Sequence, residues 1–243
     1  MEEILGKINS YESMGLVDGP GIRYVVFLQG CALRCQYCHN PDTWLEDKYT
    51  EVITPQKLIE KIKRFKPYFG SDGGVTFSGG EPLRQPKFLL ECLKLCKENG
   101  IHTALDSAGV GFGNYDEILS LTDLVILDIK AVKEDEYKFI TGQDMTRFKV
   151  FLDACQRLGT KLWLRQVIVP GINDDKQHMI ALRDYIKTIK NVEKVELLPY
   201  KTIGVTKYKA LKLPYRLDGV PDMDEKKCKE LENFLLDELG FNN

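Results

Sequence analysis

Strand-forming and helix-forming segments alternate along this chain, and that alternation limits the folds open to it more than any other feature. Strands are predicted at 24–28, 74–77, 102–105, 124–129, 161–169 and 192–198, each separated from the next by helical sequence. Thr54-Pro55 opens the first helix, with a hydroxyl at the N-cap and proline at the first helical position. Further helices are predicted near 87–98, 115–119, 134–141, 147–158, 176–189 and 224–239, with Asn99-Gly100 and Gly159 as stop signals. Runs such as Leu124-Val125-Ile126-Leu127 are continuously apolar, as parallel strands covered on both faces should be. The pattern implies a parallel sheet with right-handed crossovers. Six units are too few to close an eight-stranded barrel, so the expected fold is α/β, a partial, open (β/α)6 barrel. A doubly wound flat sheet is the alternative. Residues 1–243 read as one domain, with a lead-in over 1–23, an irregular stretch before Asp222 and a C-terminal helical extension over 222–243.

In parallel β/α folds, ligands sit at the carboxyl ends of the strands. The polar punctuation of this sequence falls there. Three cysteines follow the first strand, Gly79-Gly80-Glu81-Pro82 the second and Asp106-Ser107 the third; Asp128-Ile129-Lys130 closes the fourth and Tyr200-Lys201 follows the sixth. Each residue alone has a structural reading as a cap, a solvated carboxylate or a surface lysine. Together they make a polar edge whose clustered oxygens could hold a hard cation. The tight turn Asp18-Gly19-Pro20-Gly21-Ile22-Arg23 sits beside it in sequence.

The cysteines stand as Cys31-x3-Cys35-x2-Cys38. Thiolates in so short a loop can converge on one inorganic centre. A cubane has four irons, so three protein ligands leave one iron open for a substrate. Two other readings stand beside this one: a structural zinc with a distant fourth ligand, such as His39 or another cysteine, and buried thiols with no metal. The seven cysteines, the absence of an apolar leader and the lack of any membrane-length apolar run predict a cytoplasmic protein with reduced thiols and no membrane association. A net charge of −2 gives no reason to expect nucleic acid. Cys92, Cys96 and Cys155 read as core, Cys228 as an exposed thiol, His102 as structural and His178 as exposed.

With Tyr37 just before its last cysteine, the loop resembles the signature of radical S-adenosylmethionine (SAM) enzymes, and Gly79-Gly80-Glu81-Pro82 resembles their GGEP motif. The resemblance implies the open barrel as a radical SAM fold and a [4Fe–4S] cluster on Cys31, Cys35 and Cys38. It also implies SAM bound by Tyr37, Cys38, His39, Gly79, Gly80, Glu81, Asp106, Asp128, Ile129 and Lys130, with Lys201 where a histidine is usual.

Longer segments, among them 17–23, 31–40, 73–76, 191–200 and 217–220, resemble the pyruvate formate-lyase branch of the glycyl-radical-enzyme activating family. No cysteine lies between Cys38 and Cys92, where several activases of other glycyl-radical enzymes carry a cysteine-rich insert. That likeness implies hydrogen abstraction from a backbone glycine of pyruvate formate-lyase, an electron donor of flavodoxin or ferredoxin type, and a monomer. It also implies a monovalent cation at Asp106, Ser107 and Asp128, and contacts from Asp18, Arg23 and Arg165 to the partner's glycine loop. An activase of another glycyl-radical enzyme and a non-catalytic zinc-binding interaction module are the alternatives.

Overall fold

Eight strands form one sheet in the computed structural model, which describes residues 3–113 and 115–241; the outermost residues of the expected lead-in and extension lie outside that range. Six of the strands are parallel neighbours: β2 (Arg23–Leu28), β4 (Gly74–Gly79), β5 (His102–Ser107), β6 (Leu124–Asp128), β7 (Leu162–Ile168) and β8 (Val192–Pro199). These match the six predicted strands. The sheet is not closed, as expected for a partial barrel.

The other two strands were not anticipated. β1 (Gly6–Gly15) pairs antiparallel with β2, and β3 (Glu51–Ile53) pairs antiparallel with β1, giving the order β3-β1-β2-β4-β5-β6-β7-β8. β1 is a polar strand whose buried positions are few, Gly6, Ile8 and Gly15 among them, so its pairing with β2 supplies what its own residues do not. The three-residue β3 leaves only a short open edge.

Helices α1 (Pro55–Lys63), α2 (Pro86–Glu98), α3 (Tyr115–Ser120), α4 (Glu134–Thr141), α5 (Thr146–Leu158), α6 (Lys176–Ile186) and α8 (Glu225–Leu239) stand where the sequence placed them. α7 (Val205–Leu211) lies in the stretch expected to be irregular. It is held by Tyr208, 2% exposed, whose ring meets Trp44 and Tyr215 edge-on.

Side chains alternate across the strands with a period of two. One set, including Val26, Phe77, Leu105, Leu127 and Leu164, packs into the continuous apolar core shared with the helices. The other set includes Arg23, Thr76, Ser78, Asp106, Asp128 and Arg165. Polar groups therefore sit within the strands because this second face turns toward the site rather than toward the helices. No helix among the described residues is long and apolar enough to cross a membrane.

Cys92, Cys96 and Cys155 are core residues as expected. Cys228 is 3% exposed, not an exposed thiol, because α8 packs that face against β8 and its Sγ lies 3.8 Å from the Leu197 carbonyl. His178 is likewise partly buried, with Nε2 2.9 Å from Gln166 Oε1.

Candidate cofactor site

The cysteine loop is held by the end of a helix. An α-helix leaves its last carbonyls without partners, and in α4 these accept from the loop: Arg34 N–H donates to Thr141 O at 2.8 Å and Gln36 N–H to Ile140 O at 3.0 Å. Gln36 Nε2 donates to Phe139 O at 2.7 Å. On the other side, Gly30 N–H donates to Thr43 O at 2.8 Å, and Cys38 N–H closes a turn onto Cys35 O at 3.1 Å.

Cys31, Cys35 and Cys38 are free thiols that line one cavity of about 310 Å³. Asp18, Tyr37, His39, Gly79, Gly80, Asp106, Ser107, Asp128 and Lys130 line it too, so most of the predicted site residues converge. A larger cavity, about 670 Å³, lies between residues 3–5 and 85–88 and contains no thiol. The chemistry is at the smaller one.

Burial raises all three thiols, and Cys35 is pushed up to about 12. Neighbouring cysteines add to the rise at Cys31 and Cys35, while at Cys38 hydrogen bonds from the Asn40 backbone and the Trp44 side chain oppose the effect of burial. Three thiolates at such a place need a bound cationic centre, so the donor set fits an iron–sulfur cluster. His39, the alternative zinc ligand, has Nε2 2.9 Å from the Lys201 carbonyl. Among the described residues no three His, Cys, Asp or Glu groups converge as a single-ion site.

Opposite the thiols stand charged groups. Lys130 Nζ lies 2.6 Å from Asp128 Oδ2 and 5.6 Å from the Tyr37 ring centre. Burial pulls the ammonium down, but Asp128, Tyr37 and Cys35 outweigh it and hold Lys130 well above its ordinary value. Ser78 Oγ donates to Asp106 Oδ2 at 2.6 Å. Burial and the Asp128 charge raise the Asp106 carboxyl to about 6. Tyr37 Oη is buried with no partner among the described residues, an orphan hydroxyl at the cavity wall.

The two glycines of the second motif are required by backbone packing. A Cβ on Gly79, whose φ is 114°, would lie 2.3 Å from Leu28 N, and one on Gly80 would lie 2.4 Å from Gly30 O. The amides of Gly80 and Glu81 are spent on Leu28 O and Gly30 O, both at 2.9 Å. This loop can therefore offer a ligand carbonyl oxygens, which accept, rather than these amides.

Five expected site residues do not line the cavity. Glu81 is fully buried and accepts from Ser107 Oγ at 2.7 Å, Ala108 N–H at 2.9 Å and Leu83 N–H at 3.1 Å, tying the loop after β4 to the loop after β5. Ile129 packs in the apolar core. Lys201 turns its ammonium to Glu225 at 2.6 Å and offers only its carbonyl, to His39. Arg23 is 0% exposed, with Nε bonded to Thr76 Oγ1 at 2.9 Å and the rest of its guanidinium among backbone carbonyls and His102; every donor is used inside the fold, so it has none for a partner's peptide. Arg165 sits beside the cavity, bonded to Glu196 Oε2 at 2.7 Å and to Val17 O at 2.6 Å, and so braces the turn that carries Asp18.

Sequence reasoning missed Trp44 and the apolar wall of Phe27, Val167, Leu198 and Pro199. Trp44 left a signal, as one of only two tryptophans and close after Cys38.

An open parallel sheet with free thiols on one cavity wall and paired carboxylates on another defines an α/β protein organised around a thiolate-held cofactor. Comparison with known proteins narrows the class. The Radical SAM superfamily profile matches residues 25–182. A pyruvate formate-lyase-activating enzyme of Clostridium pasteurianum is 58% identical over 233 residues, covering 96% of this chain and 98% of the relative. One from Streptococcus mutans serotype c is 45% identical, covering 90% and 86%. Among solved structures, Streptococcus suis SuiB bound to precursor peptide SuiA superposes with a TM-score of 0.66 at 17% identity, over 90% of this chain and 46% of that one, a likeness of fold. The chain belongs to the radical SAM superfamily and, within it, to the pyruvate formate-lyase-activating enzyme family. Membership implies a [4Fe–4S] cluster and SAM as cofactors.

Proposed function

We propose that this protein activates pyruvate formate-lyase by generating a glycyl radical on it. The observation that carries the reading is the convergence of three free thiols, the Asp106/Asp128 pair and Lys130 on one cavity at the carboxyl edge of the sheet. Cluster and SAM, when bound, supply one-electron cleavage and a carbon radical able to take a hydrogen atom from a glycine Cα.

The chain's own residues hold and orient. Cys31, Cys35 and Cys38 are the cluster ligands. The carbonyls of Gly79 and Gly80 would accept from the ammonium of SAM, and Lys130, held by Asp128, would receive its carboxylate. Tyr37 and His39 would hold the nucleoside end, with His39 fixed by the Lys201 carbonyl. Asp106 and Asp128 hold a monovalent cation whose charge offsets their mutual repulsion. Ser107 adds little through its hydroxyl, which donates to Glu81 and accepts from Gly109 N–H at 2.9 Å. Asp18, braced by Arg165, meets the partner's glycine loop. The apolar wall of Phe27, Val167, Leu198 and Pro199 excludes water and competing hydrogen donors. Residues 1–243 act as one monomeric, cytoplasmic radical SAM unit supplied by a flavodoxin or ferredoxin.

The test is electron paramagnetic resonance on anaerobically reduced, reconstituted protein mixed with SAM and pyruvate formate-lyase. A cluster signal altered by SAM, followed by a glycyl-radical doublet on the partner, is expected. SAM cleavage with no doublet on pyruvate formate-lyase would move the activity to another substrate.

A further inference from the structure

The cysteine loop has a second opening. A separate cavity of about 220 Å³ lies on its other side, and both Cys35 and Trp44 line it as well as the first. One cluster ligand and one tryptophan thus form the partition between the two. Among the described residues the second cavity is lined by Arg34 and Arg216 and by no acidic residue. In the first, three aspartates stand against one lysine.

The cations at this second opening are unneutralised. Arg34 lies over the Trp44 ring, 4.9 Å from its centre, and donates to Cys31 O and Leu33 O at 2.8 and 2.7 Å. Exposed Arg216 donates to Phe139 O at 3.0 Å, and Phe139 itself is 57% exposed. Neither arginine has a carboxylate partner among the described residues, and neither have exposed Lys209, Lys212 and Lys138 on the neighbouring elements. On a chain of net charge −2 this is a local basic field rather than a general one. Exposed aromatic and arginine side chains together are the composition of a protein-binding patch.

We infer that the surface around Arg34, Trp44, Phe139, Lys212 and Arg216 is where an acidic one-electron carrier protein docks and delivers its electron through the Cys35 and Trp44 partition. The inference rests on the reading of the cysteine loop as a cluster site. It follows from occupancy: the first cavity must hold SAM and admit the partner's glycine, so a second protein needs another approach to the same cluster. In the step, the reduced carrier loses one electron and the cluster gains it; no bond forms or breaks. A basic rim draws an acidic partner and sets its orientation, and this attraction weakens with salt.

The experiment uses an acidic flavodoxin as probe and the double variant Arg216→Glu/Lys212→Glu, with Arg216→Lys as the conservative control. Binding of flavodoxin to the cluster-free protein is measured by surface plasmon resonance at two salt concentrations. Reduction of the loaded protein by flavodoxin hydroquinone is followed by stopped-flow, with dithionite as a small reductant. The double variant is expected to bind flavodoxin at least about tenfold more weakly, with a flatter salt dependence, and to be reduced correspondingly more slowly. Arg216→Lys stays near wild type, and dithionite-driven glycyl-radical formation is unchanged. Unaltered flavodoxin binding in the double variant would overturn the inference. So would loss of the dithionite-driven radical with flavodoxin binding intact, which would make the patch a surface for pyruvate formate-lyase. Failure of the dithionite-driven radical in the wild-type protein would instead strike the proposed function itself.

Discussion

The two ends of the parallel strands bury charge in opposite ways. At the amino end Arg23 lies fully inside the sheet, and Thr76, His102 and the carbonyls of Pro20, Asp72 and Val75 use up its donors. Burial lowers it only to about 10, so it stays charged, held by neutral acceptors. At the carboxyl end Asp106 and Asp128 repel each other, three thiols sit where burial penalises their anions, and Tyr37 Oη has no partner. A polar group whose bonds are complete belongs to the frame. One whose bonds are incomplete is a place for a ligand, and the two ends of one sheet carry one kind each.

Two substitutions should pull the ends apart, and the largest effect is expected at the open one. Cys35→Ala is expected to bind no intact cluster and to give no glycyl radical, checked by iron and sulfide content and by paramagnetic resonance. The cluster-free fold should survive, because one small thiol leaves a loop that α4 still holds. Retained activity would remove Cys35 from the ligand set. Arg23→Ala should do the reverse. It leaves several buried acceptors without a donor and opens space in the sheet, at a cost of about 3–5 kcal/mol in denaturant unfolding. Folded Arg23→Ala of wild-type stability would mean that the amino end is not the frame described.

The sequence disclosed the six parallel strands and the thiol cavity because both depend on local signals: continuous apolar runs, helix caps and a cysteine spacing confined to one loop. It could not disclose β1, whose place depends on pairing with β2 rather than on its own polar residues. The same limit explains Arg23. It shares a turn with Asp18, yet strand alternation sends its side chain inward below Thr76 while Asp18 reaches the cavity. Glu81 shows it again, since a motif residue next to cavity-lining glycines turns out to hold the neighbouring loop. Proximity in sequence places a residue near a site; only the direction of the side chain decides whether it enters.

A smaller effect, with opposite sign to Arg23→Ala, is expected for Asp106→Asn. Burial and the Asp128 charge lift the Asp106 carboxyl from 3.8 to about 6, so between those values the folded protein retains a proton that the unfolded chain has released. Stability from this group is therefore present below pH 4, falls as pH rises toward 6, and stays lost above. In cluster-free protein at neutral pH, Asp106→Asn should raise stability by about 1 kcal/mol, roughly 2–4 °C in Tm, and flatten the acid-side profile. On the proposed reading of Asp106 as a site residue, the same variant should bind SAM more weakly. Destabilisation by Asp106→Asn at pH 7 would show that its charge is already satisfied within the protein, as Arg23 is.

The smallest effect tests the distinction between lining the cavity and holding its frame at a single residue. Lys201 follows the last parallel strand and lies close to the site, but its ammonium faces Glu225, which is 74% exposed, in a pair of the kind that adds little in water. What reaches the site is its carbonyl, 2.9 Å from His39 Nε2, and every amino acid supplies a carbonyl there. Lys201→Ala should therefore leave the KM for SAM within about twofold of wild type. His39→Ala, which removes the ring itself, should raise it more. If Lys201→Ala instead raised the KM by about tenfold, the side chain would have to leave Glu225 and reach SAM in the working enzyme. Lys201 would then count among the groups that line the cavity rather than hold its frame.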